Sequence, residues 1–209
     1  MSEIVLAIDT AKRVSVGLAR DEQVLSTWQV GDTRSHVEQL IPTIEQALDR
    51  AGLAFSDVDR IGVGVGPGPF TGLRVGIATA QTLGLAGGIP VVGVCSLDVI
   101  ALQRASQNQP GQFVALLDAR RHEVYWALYD ASGLRLDGPH VGPADQLPAL
   151  PVVELDVDAG LLAASLDLLP SIGLEPLYLR QPDADLPSTR KSTIVGGRLR
   201  LPIAGGHES

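Results

Sequence analysis

Cysteine, lysine and aromatic residues are all scarce in this sequence of 209 residues. The single cysteine, Cys95, excludes a disulfide within the chain, and the only two lysines are Lys12 and Lys191. Because a Walker A loop needs a lysine directly after its last glycine, that class of phosphate site is excluded. Aromatic residues make up 4% of the chain, against 45% for all hydrophobic residues. We therefore expect a globular core packed mainly with aliphatic side chains.

Long apolar runs are also missing. The longest uncharged stretch lies between Arg74 and Asp98, where glycine and proline residues interrupt it. It is therefore well short of the roughly 20 apolar residues that a membrane-spanning helix needs. The N-terminal residues MSEIVLAIDT contain no basic residue of the kind that opens a signal peptide. These features predict a cytoplasmic protein without membrane contact.

Paired histidines and excess positive charge are the remaining absences. No two of the four histidines are three or four residues apart, the spacing that places two metal ligands on one helix face, so we expect no metal site. The net charge is −8, and the residues before the net-positive stretch that begins at Arg180 carry −10. Such a body repels phosphate groups, so we expect contact with RNA only through a partner.

Alternating apolar residues and helical periodicity predict an α/β arrangement in the first half of the chain. Three strands come first, followed by helix, strand, helix, strand and helix. The predicted strands are 3–9, 13–20, 23–30, 61–65 and 90–94, and the predicted helices are 36–51, 71–86 and 96–105.

The same pattern begins again after Gly111. Residues 113–136 align with residues 4–25, and Asp118 then lies opposite Asp9 when one residue is inserted. A duplicated half is the simplest interpretation. The second copy is shorter, because after Pro139 only weak helical signals and one strand remain, at 144–149, 158–169 and 174–179.

These patterns divide the chain into three parts. We predict a first half at 1–108 and a truncated second half at 109–180. Residues 181–209 are rich in proline, glycine and serine with little periodicity, and this composition predicts a mobile tail.

A glycine-rich stretch, GVGPGPFTGLRVG, runs from Gly64 to Gly76. Its glycine spacing does not match the dinucleotide-binding fingerprint. Glycines instead recur every second residue on the predicted strand and every fourth position on the predicted helix. This spacing favours close packing of backbones over contact with a ligand.

Few residues are candidates for chemistry. Asp9 and Asp118 each end the first strand of a hairpin, where a carboxylate either holds magnesium in a phosphotransfer enzyme or caps a turn. Neither turn has the glycine that lets a hairpin close around phosphate, which favours the turn-capping role. Arg120 and its neighbours either bind an anion or face solvent, and Cys95 is typical of a core residue. We predict no catalytic residue, no metal ligand and no cofactor-binding residue.

The two long helices of the first half carry the clearest signal. The helix at 71–86 has one charge, Arg74, and so must be buried on several sides, whereas the truncated second half has little to cover it. The helix at 36–51 carries a stripe of uncharged polar residues, which we expect to lie beside the helix at 71–86. We therefore predict a partner interface that also forms a homodimer when the partner is absent, built from His36, Gln39, Leu40, Thr43, Arg74, Ala78 and Gln81.

Several motifs resemble one known family, the TsaB proteins, over about residues 3–180. The matching residues are Ile8-Asp9-Thr10, Ser35-His36, the run from Gly66 to Gly76 except Pro69, Ser96-Leu97, Asp118-Ala119-Arg120, Glu123-Val124-Tyr125 and Tyr178-Leu179-Arg180. The resemblance implies an actin-like, duplicated ribonuclease-H fold. It also implies a non-catalytic subunit of the bacterial machinery that makes N6-threonylcarbamoyladenosine in tRNA. Such a subunit pairs through its first two helices with the catalytic subunit TsaD, works with the ATPase TsaE, and meets tRNA only through the complex.

Two positions depart from the related patterns. TsaD has two histidines four residues apart on its first helix, whereas here His36 is followed at that spacing by Leu40. TsaB proteins usually have serine where this chain has Pro69. The alternative from another class is an ATP-dependent phosphotransferase or ATPase of the actin-like superfamily, in which Asp9 and Asp118 would hold magnesium-ATP. A metallopeptidase is disfavoured because the sequence does not supply the metal ligands.

Overall fold

The computed structural model describes residues 2–31 and 36–180, with only the backbone of residues 36 and 37. Its first half is a five-stranded sheet in the order β3-β2-β1-β4-β5. The first three strands form an antiparallel meander, and β1 also pairs in parallel with β4, which pairs in parallel with β5. The strands are β1 (Ile4–Asp9), β2 (Val14–Arg20), β3 (Gln23–Val30), β4 (Arg60–Gly64) and β5 (Val91–Val94).

Three helices accompany this sheet, as the sequence predicted. They are α1 (His36–Ala51), α2 (Phe70–Gly87) and α3 (Ser96–Ala105), and a 3-10 turn follows α1 at Phe55–Asp57. Gly88, in the left-handed conformation with φ 65°, ends α2. The element order expected for the first half is therefore confirmed.

The second half repeats the beginning of this topology. Strands β6 (Phe113–Arg120), β7 (Glu123–Tyr129) and β8 (Arg135–Pro143) form a second antiparallel meander, and β9 (Val152–Glu154) pairs in parallel with β6. The sheet order is β8-β7-β6-β9, which matches the first four strands of the first sheet. The topology is that of the predicted duplicated ribonuclease-H-like fold with a shortened second copy.

Three details of the second half differ from the expectation. The helix expected at 144–149 is one 3-10 turn at Ala144–Gln146, and the one expected at 158–169 is the short α4 (Ala159–Ala164) followed by a 3-10 turn at Leu166–Leu168. The strand expected at 174–179 is wrong: this segment is irregular and follows the first sheet through single bonds such as that from Leu177 N to Val65 O. Pro176 has no N–H to donate, so a continuous ladder cannot form there.

Helices from both halves cover the first sheet. Ser26 of β3 donates to Ala47 O of α1, whereas the adjacent Thr27 donates to Asp158 at the start of α4. Because neighbouring strand residues point to opposite faces, α1 and α4 pack on opposite faces of this sheet. The two halves therefore share one hydrophobic core.

None of the helices within residues 2–31 and 36–180 combines the length and the apolar character needed to cross a membrane. The tail predicted at 181–209 and the Ser35 motif residue lie outside the described residues.

Candidate functional site

One side of α2 is open to solvent and carries almost no charge. Its buried positions include Gly72, Leu73, Gly76 and Ala80, which face the first sheet. The exposed positions before the last two residues of the helix, which we call the α2 face, are Thr71, Arg74, Ala78, Gln81, Thr82 and Leu85. Leu85 is 87% exposed, and Arg74 is the only charged residue of the helix. Arg74, Ala78 and Gln81, three residues of the predicted partner interface, therefore lie on one exposed side of the helix.

Glycines bring α2 close to the sheet. Thr10, which follows β1, donates its hydroxyl to Gly72 O at 2.8 Å, and a Cβ at Gly76 would collide with the same Thr10 side chain. A Cβ at Gly84 would likewise collide with Val91 of β5. The interpretation of the glycine-rich stretch as a close-packing device is confirmed.

Asp9 is held inside this packed junction. It is 1% exposed, and its carboxylate accepts hydrogen bonds from Ala11 N at 2.8 Å and Ser96 Oγ at 2.6 Å. Gly64 lies so close that any side chain there would meet the carboxylate. Burial raises the pKa of Asp9 to about 6, and the two hydrogen bonds only partly counteract this effect.

Asp118 makes the corresponding bond in the second half. Its carboxylate accepts from Arg120 N at 2.7 Å, but the side chain is exposed. Each aspartate thus accepts from the amide two residues later, the geometry of an Asx turn. This is the turn-capping arrangement that the sequence favoured over a magnesium site.

Cys95 directly precedes α3 and is fully buried. Burial raises the pKa of its thiol to about 12, so the thiolate needed for nucleophilic attack is disfavoured at neutral pH. The interpretation of Cys95 as a core residue is confirmed.

The C-terminal segment 174–180 extends the α2 face, a contribution that periodicity did not reveal. The Arg74 guanidinium lies 3.7 Å from the centre of the Phe70 ring, and Arg74 Nε donates to Tyr178 Oη at 2.8 Å. Phe70 and Tyr178 also stack, with ring centres 4.9 Å apart. A groove of about 330 Å³ beside them lies between the α2 face and residues 174–176. The motif residue Tyr178 was the one signal in the sequence for this contact.

The structure corrects the expected surface of α1. Leu40 is 1% exposed and Thr43 is 3% exposed, so both are buried within the chain rather than available to a partner. Leu40 belongs to the core, and the Thr43 hydroxyl donates to Gln39 O at 2.7 Å, which satisfies it inside the helix. Ile41 of the same helix is 44% exposed, although it is apolar. The predicted contact by the His36 side chain lies outside the described residues.

A second concave region lies between the two halves. It is a cleft of about 320 Å³ between the start of α2, the β6–β7 turn and the segment 178–180. Arg180 crosses its base, where it donates to Ala119 O at 3.2 Å and pairs with Glu123. Among the described residues, no group of three or more histidine, cysteine, aspartate or glutamate side chains is arranged to hold a metal ion.

Comparison with known proteins gives consistent relatives. A sequence model of the family described as TsaD, tRNA N6-adenosine threonylcarbamoyltransferase, matches residues 32–145, more than half of the chain. An uncharacterised Mycobacterium leprae protein is 44% identical over 94% of this chain, which spans 60% of that relative. The tRNA threonylcarbamoyladenosine biosynthesis protein TsaB of Escherichia coli is 37% identical over 62% of this chain, and the match spans 57% of that relative.

A solved structure supports the same grouping. YeaZ from Pseudomonas aeruginosa aligns with a TM-score of 0.73 and 27% identity, covering 85% of this chain and all of the solved chain. That alignment includes both halves of the duplicated fold, because it extends well beyond either half alone. On the match to the family model, the curated relatives and this structure, the chain belongs to the TsaB family.

Proposed function

We propose that this chain takes part in the biosynthesis of threonylcarbamoyladenosine in tRNA, as a non-catalytic subunit that binds a TsaD-like catalytic subunit through the α2 face. The names of the curated TsaB relatives support the pathway, and the TsaD model that matches residues 32–145 supports a paired, similarly folded partner. Action beside a TsaE-like ATPase, contact with tRNA only through the complex, and a cytoplasmic location belong to the same proposal.

The near absence of charge on the exposed side of α2 is the observation that carries the partner assignment. Leu85 is almost fully exposed, Ala78 and Gln81 lie beside it, and Arg74 is fixed by Phe70 and Tyr178 at one end. A helical side that carries a single charge and an almost fully exposed leucine is typical of a protein contact. The same face in two copies would form a self-complementary contact, which supports a homodimer in the absence of the partner.

The environment of Asp9 supports a non-catalytic role over the phosphotransferase alternative. A magnesium ligand must present carboxylate oxygens to the ion, but both oxygens of Asp9 are buried and bonded to Ala11 N and Ser96 Oγ. The exposed Asp118 would have to act alone. Sustained ATP hydrolysis by the purified chain that disappears in Asp118→Ala would contradict this part of the proposal.

Substitution on the α2 face tests the partner assignment. Ala78→Arg places a charge in the centre of the face, and Ala131→Arg makes the same change in the exposed β7–β8 turn of the other half. Because an unpaired buried charge costs several kcal/mol, Ala78→Arg should weaken binding to the TsaD-like subunit by at least about a hundredfold, with Ala131→Arg unchanged. Calorimetry measures the affinity, and circular dichroism checks that both variants fold.

Light scattering of the same two proteins tests the homodimer. We expect Ala78→Arg to be monomeric and Ala131→Arg to behave as the wild type. If folded Ala78→Arg binds the catalytic subunit with wild-type affinity, the interface lies elsewhere and the assignment is wrong.

A further inference from the structure

The β6–β7 turn has an unusual backbone for its sequence. Arg120, Arg121 and His122 are three consecutive residues in the left-handed region, with φ of 63°, 56° and 65°. Tight hairpin turns of this hand favour asparagine and glycine, because a side chain crowds the backbone when φ is positive. Long basic side chains at these positions are therefore costly for the fold.

Elsewhere the chain follows the usual preference. Within the described residues, the other positions with positive φ are seven glycines and two residues that tolerate this conformation, Asp21 and Asn108. The β6–β7 turn alone uses arginine and histidine. Strain of this kind is retained where the side chains have a use beyond folding.

The fold itself does not require the Arg120 side chain. The turn is held by the bond from Arg120 N to Asp118, by Arg180 bound to Ala119 O, and by the Arg180–Glu123 ion pair. Within residues 2–31 and 36–180, the Arg120 guanidinium makes no hydrogen bond or ion pair. It lines both the cleft of about 320 Å³ and an adjoining hollow of about 210 Å³.

Aromatic side chains also line the cleft. Phe70 and Tyr178 are stacked there at an interplanar angle of 24°, and Arg74 covers Phe70 and fixes the Tyr178 hydroxyl. The pair is thus a rigid, prearranged surface of the kind on which planar rings stack. The cleft therefore combines a guanidinium that has no partner among residues 2–31 and 36–180 with a stacked aromatic pair, and its volume suits a small ligand.

We propose that this cleft binds a small molecule in which a planar ring carries a phosphate or carboxylate group. The ring would lie against Phe70 and Tyr178, and the oxyanion would bind the Arg120 guanidinium, whose planar fork matches such groups. The Asp118 carboxylate also lines the cleft, where it accepts from Arg120 N, so the ligand's anion must approach from the guanidinium side. This site borders the proposed partner face, because Arg74 of the α2 face contacts both Phe70 and Tyr178, but the proposal does not depend on that partner.

Titration of the full chain with four probes tests the ligand class. We use phenyl phosphate, benzoate, inorganic phosphate and benzyl alcohol, followed by calorimetry or NMR. The proposal expects at least one ring-bearing anion to bind about tenfold or more tightly than either inorganic phosphate or benzyl alcohol. The stronger of phenyl phosphate and benzoate distinguishes the phosphate source from the carboxylate source. Failure of both to bind better than the two single-feature probes would overturn the proposal.

Matched variants then locate the site. Arg120→Gln should weaken the best probe about tenfold or more, because it removes a charge-assisted pair, whereas Arg20→Gln removes the same charge at the exposed end of β2 and should have no effect. Tyr178→Leu should reduce the affinity of the ring-bearing anion toward that of inorganic phosphate. Equal weakening by Arg120→Gln and Arg20→Gln would show a non-specific charge effect and sink the assignment.

The strained backbone supplies an independent readout. Arg120→Gly relieves the left-handed conformation, so we expect the midpoint of thermal unfolding to rise by about 2 °C while binding of the best probe is lost. A rise in stability with binding intact would show that the side chain serves no ligand. Arg120→Gly with lower stability would show that the side chain is structural, which also contradicts the proposal.

Discussion

Both halves of the molecule place an aspartate near the end of their first strand, and in both it accepts a hydrogen bond from the amide two residues later. The surroundings of the two aspartates are nevertheless opposite. Asp9 is 1% exposed and bonded to Ser96, whereas Asp118 is exposed at the mouth of the cleft. The environment of each aspartate therefore depends on the elements that follow the shared hairpin.

The added elements explain the contrast. In the first half, β4, α2 and α3 follow the meander, and Gly64, Thr10 and Ser96 lock these elements around Asp9. In the second half, residues 144–151 between β8 and β9 contain one 3-10 turn and no helix equivalent to α1. The first half is therefore a packed module with an exposed helix face, and the second leaves its hairpin turn open.

The largest loss of stability should come from a substitution that disrupts the packed junction around Asp9. Gly64→Ala puts a methyl group against the Asp9 carboxylate and within 2.9 Å of Ser96 Oγ, so it should lower the free energy of unfolding by about 3 kcal/mol. Gly142→Ala in β8 is the matched change in the second half, where an added Cβ meets no atom within 4 Å. It should change stability by less than about 0.5 kcal/mol. Urea denaturation compares the two, and similar losses would show that the junction is not close-packed.

The same contrast between halves explains what the sequence could predict. Clear alternation in the first half yields β1, β2 and β3 nearly residue by residue, and the low charge of α2 predicts a helix that needs a cover. β8 was not predicted because Gly138, Pro139 and Gly142 interrupt any periodic pattern, although an edge strand tolerates them.

The candidate site was predictable only in part. Thr43 is polar and was expected on the surface, but its hydroxyl is satisfied by the backbone of its own helix, which lets it be buried. The left-handed β6–β7 turn could not be foreseen, because arginine and histidine are not the residues that such a turn normally selects. Contacts between distant segments, such as Arg74 with Tyr178, likewise leave no periodic signal.

The two aspartates should also respond differently to pH. The pKa of Asp9 is about 6 in the folded chain, against an ordinary value of 3.8, so the folded state binds the proton more tightly than the unfolded state. The contribution of Asp9 to stability is then complete below pH 4 and is lost as the pH rises through 6, a change of about 3 kcal/mol.

Asn substitution tests that sign. Asp9→Asn keeps the shape and removes the buried charge, so it should raise the free energy of unfolding by about 2 kcal/mol at pH 7 and have no such advantage at pH 4. The exposed Asp118→Asn should change stability by less than about 0.5 kcal/mol at either pH. The measurement is urea denaturation of the three proteins at pH 4, 5, 6 and 7. An Asp9→Asn variant that is less stable at pH 7 than at pH 4, relative to wild type, would reverse the inferred sign.

The smallest changes in stability should come from substitutions at the residues that precede a helix in each half. Pro69 precedes α2 and makes no side-chain cap, whereas Asp158 precedes α4 and accepts from Gly160 N at 2.8 Å and Leu161 N at 3.2 Å. Pro69 has φ of −60° and ψ of 134°, which a serine can adopt while its hydroxyl accepts from the amides of the first turn. Loss of the rigid proline ring offsets part of this gain.

We therefore expect changes of opposite sign at the two helix starts. Pro69→Ser should raise the free energy of unfolding by about 0.5 kcal/mol, and Asp158→Ala should lower it by about 1 kcal/mol. Both are measured by urea denaturation at neutral pH. The helix α4 belongs to the second half but packs on the first sheet beside Gly17. If the two halves unfold together, loss of the α4 cap should therefore change the m value of urea denaturation only slightly. A large fall in the m value for Asp158→Ala, with none for Pro69→Ser, would show instead that the second half unfolds separately and that the shared core does not bind the halves into one unit.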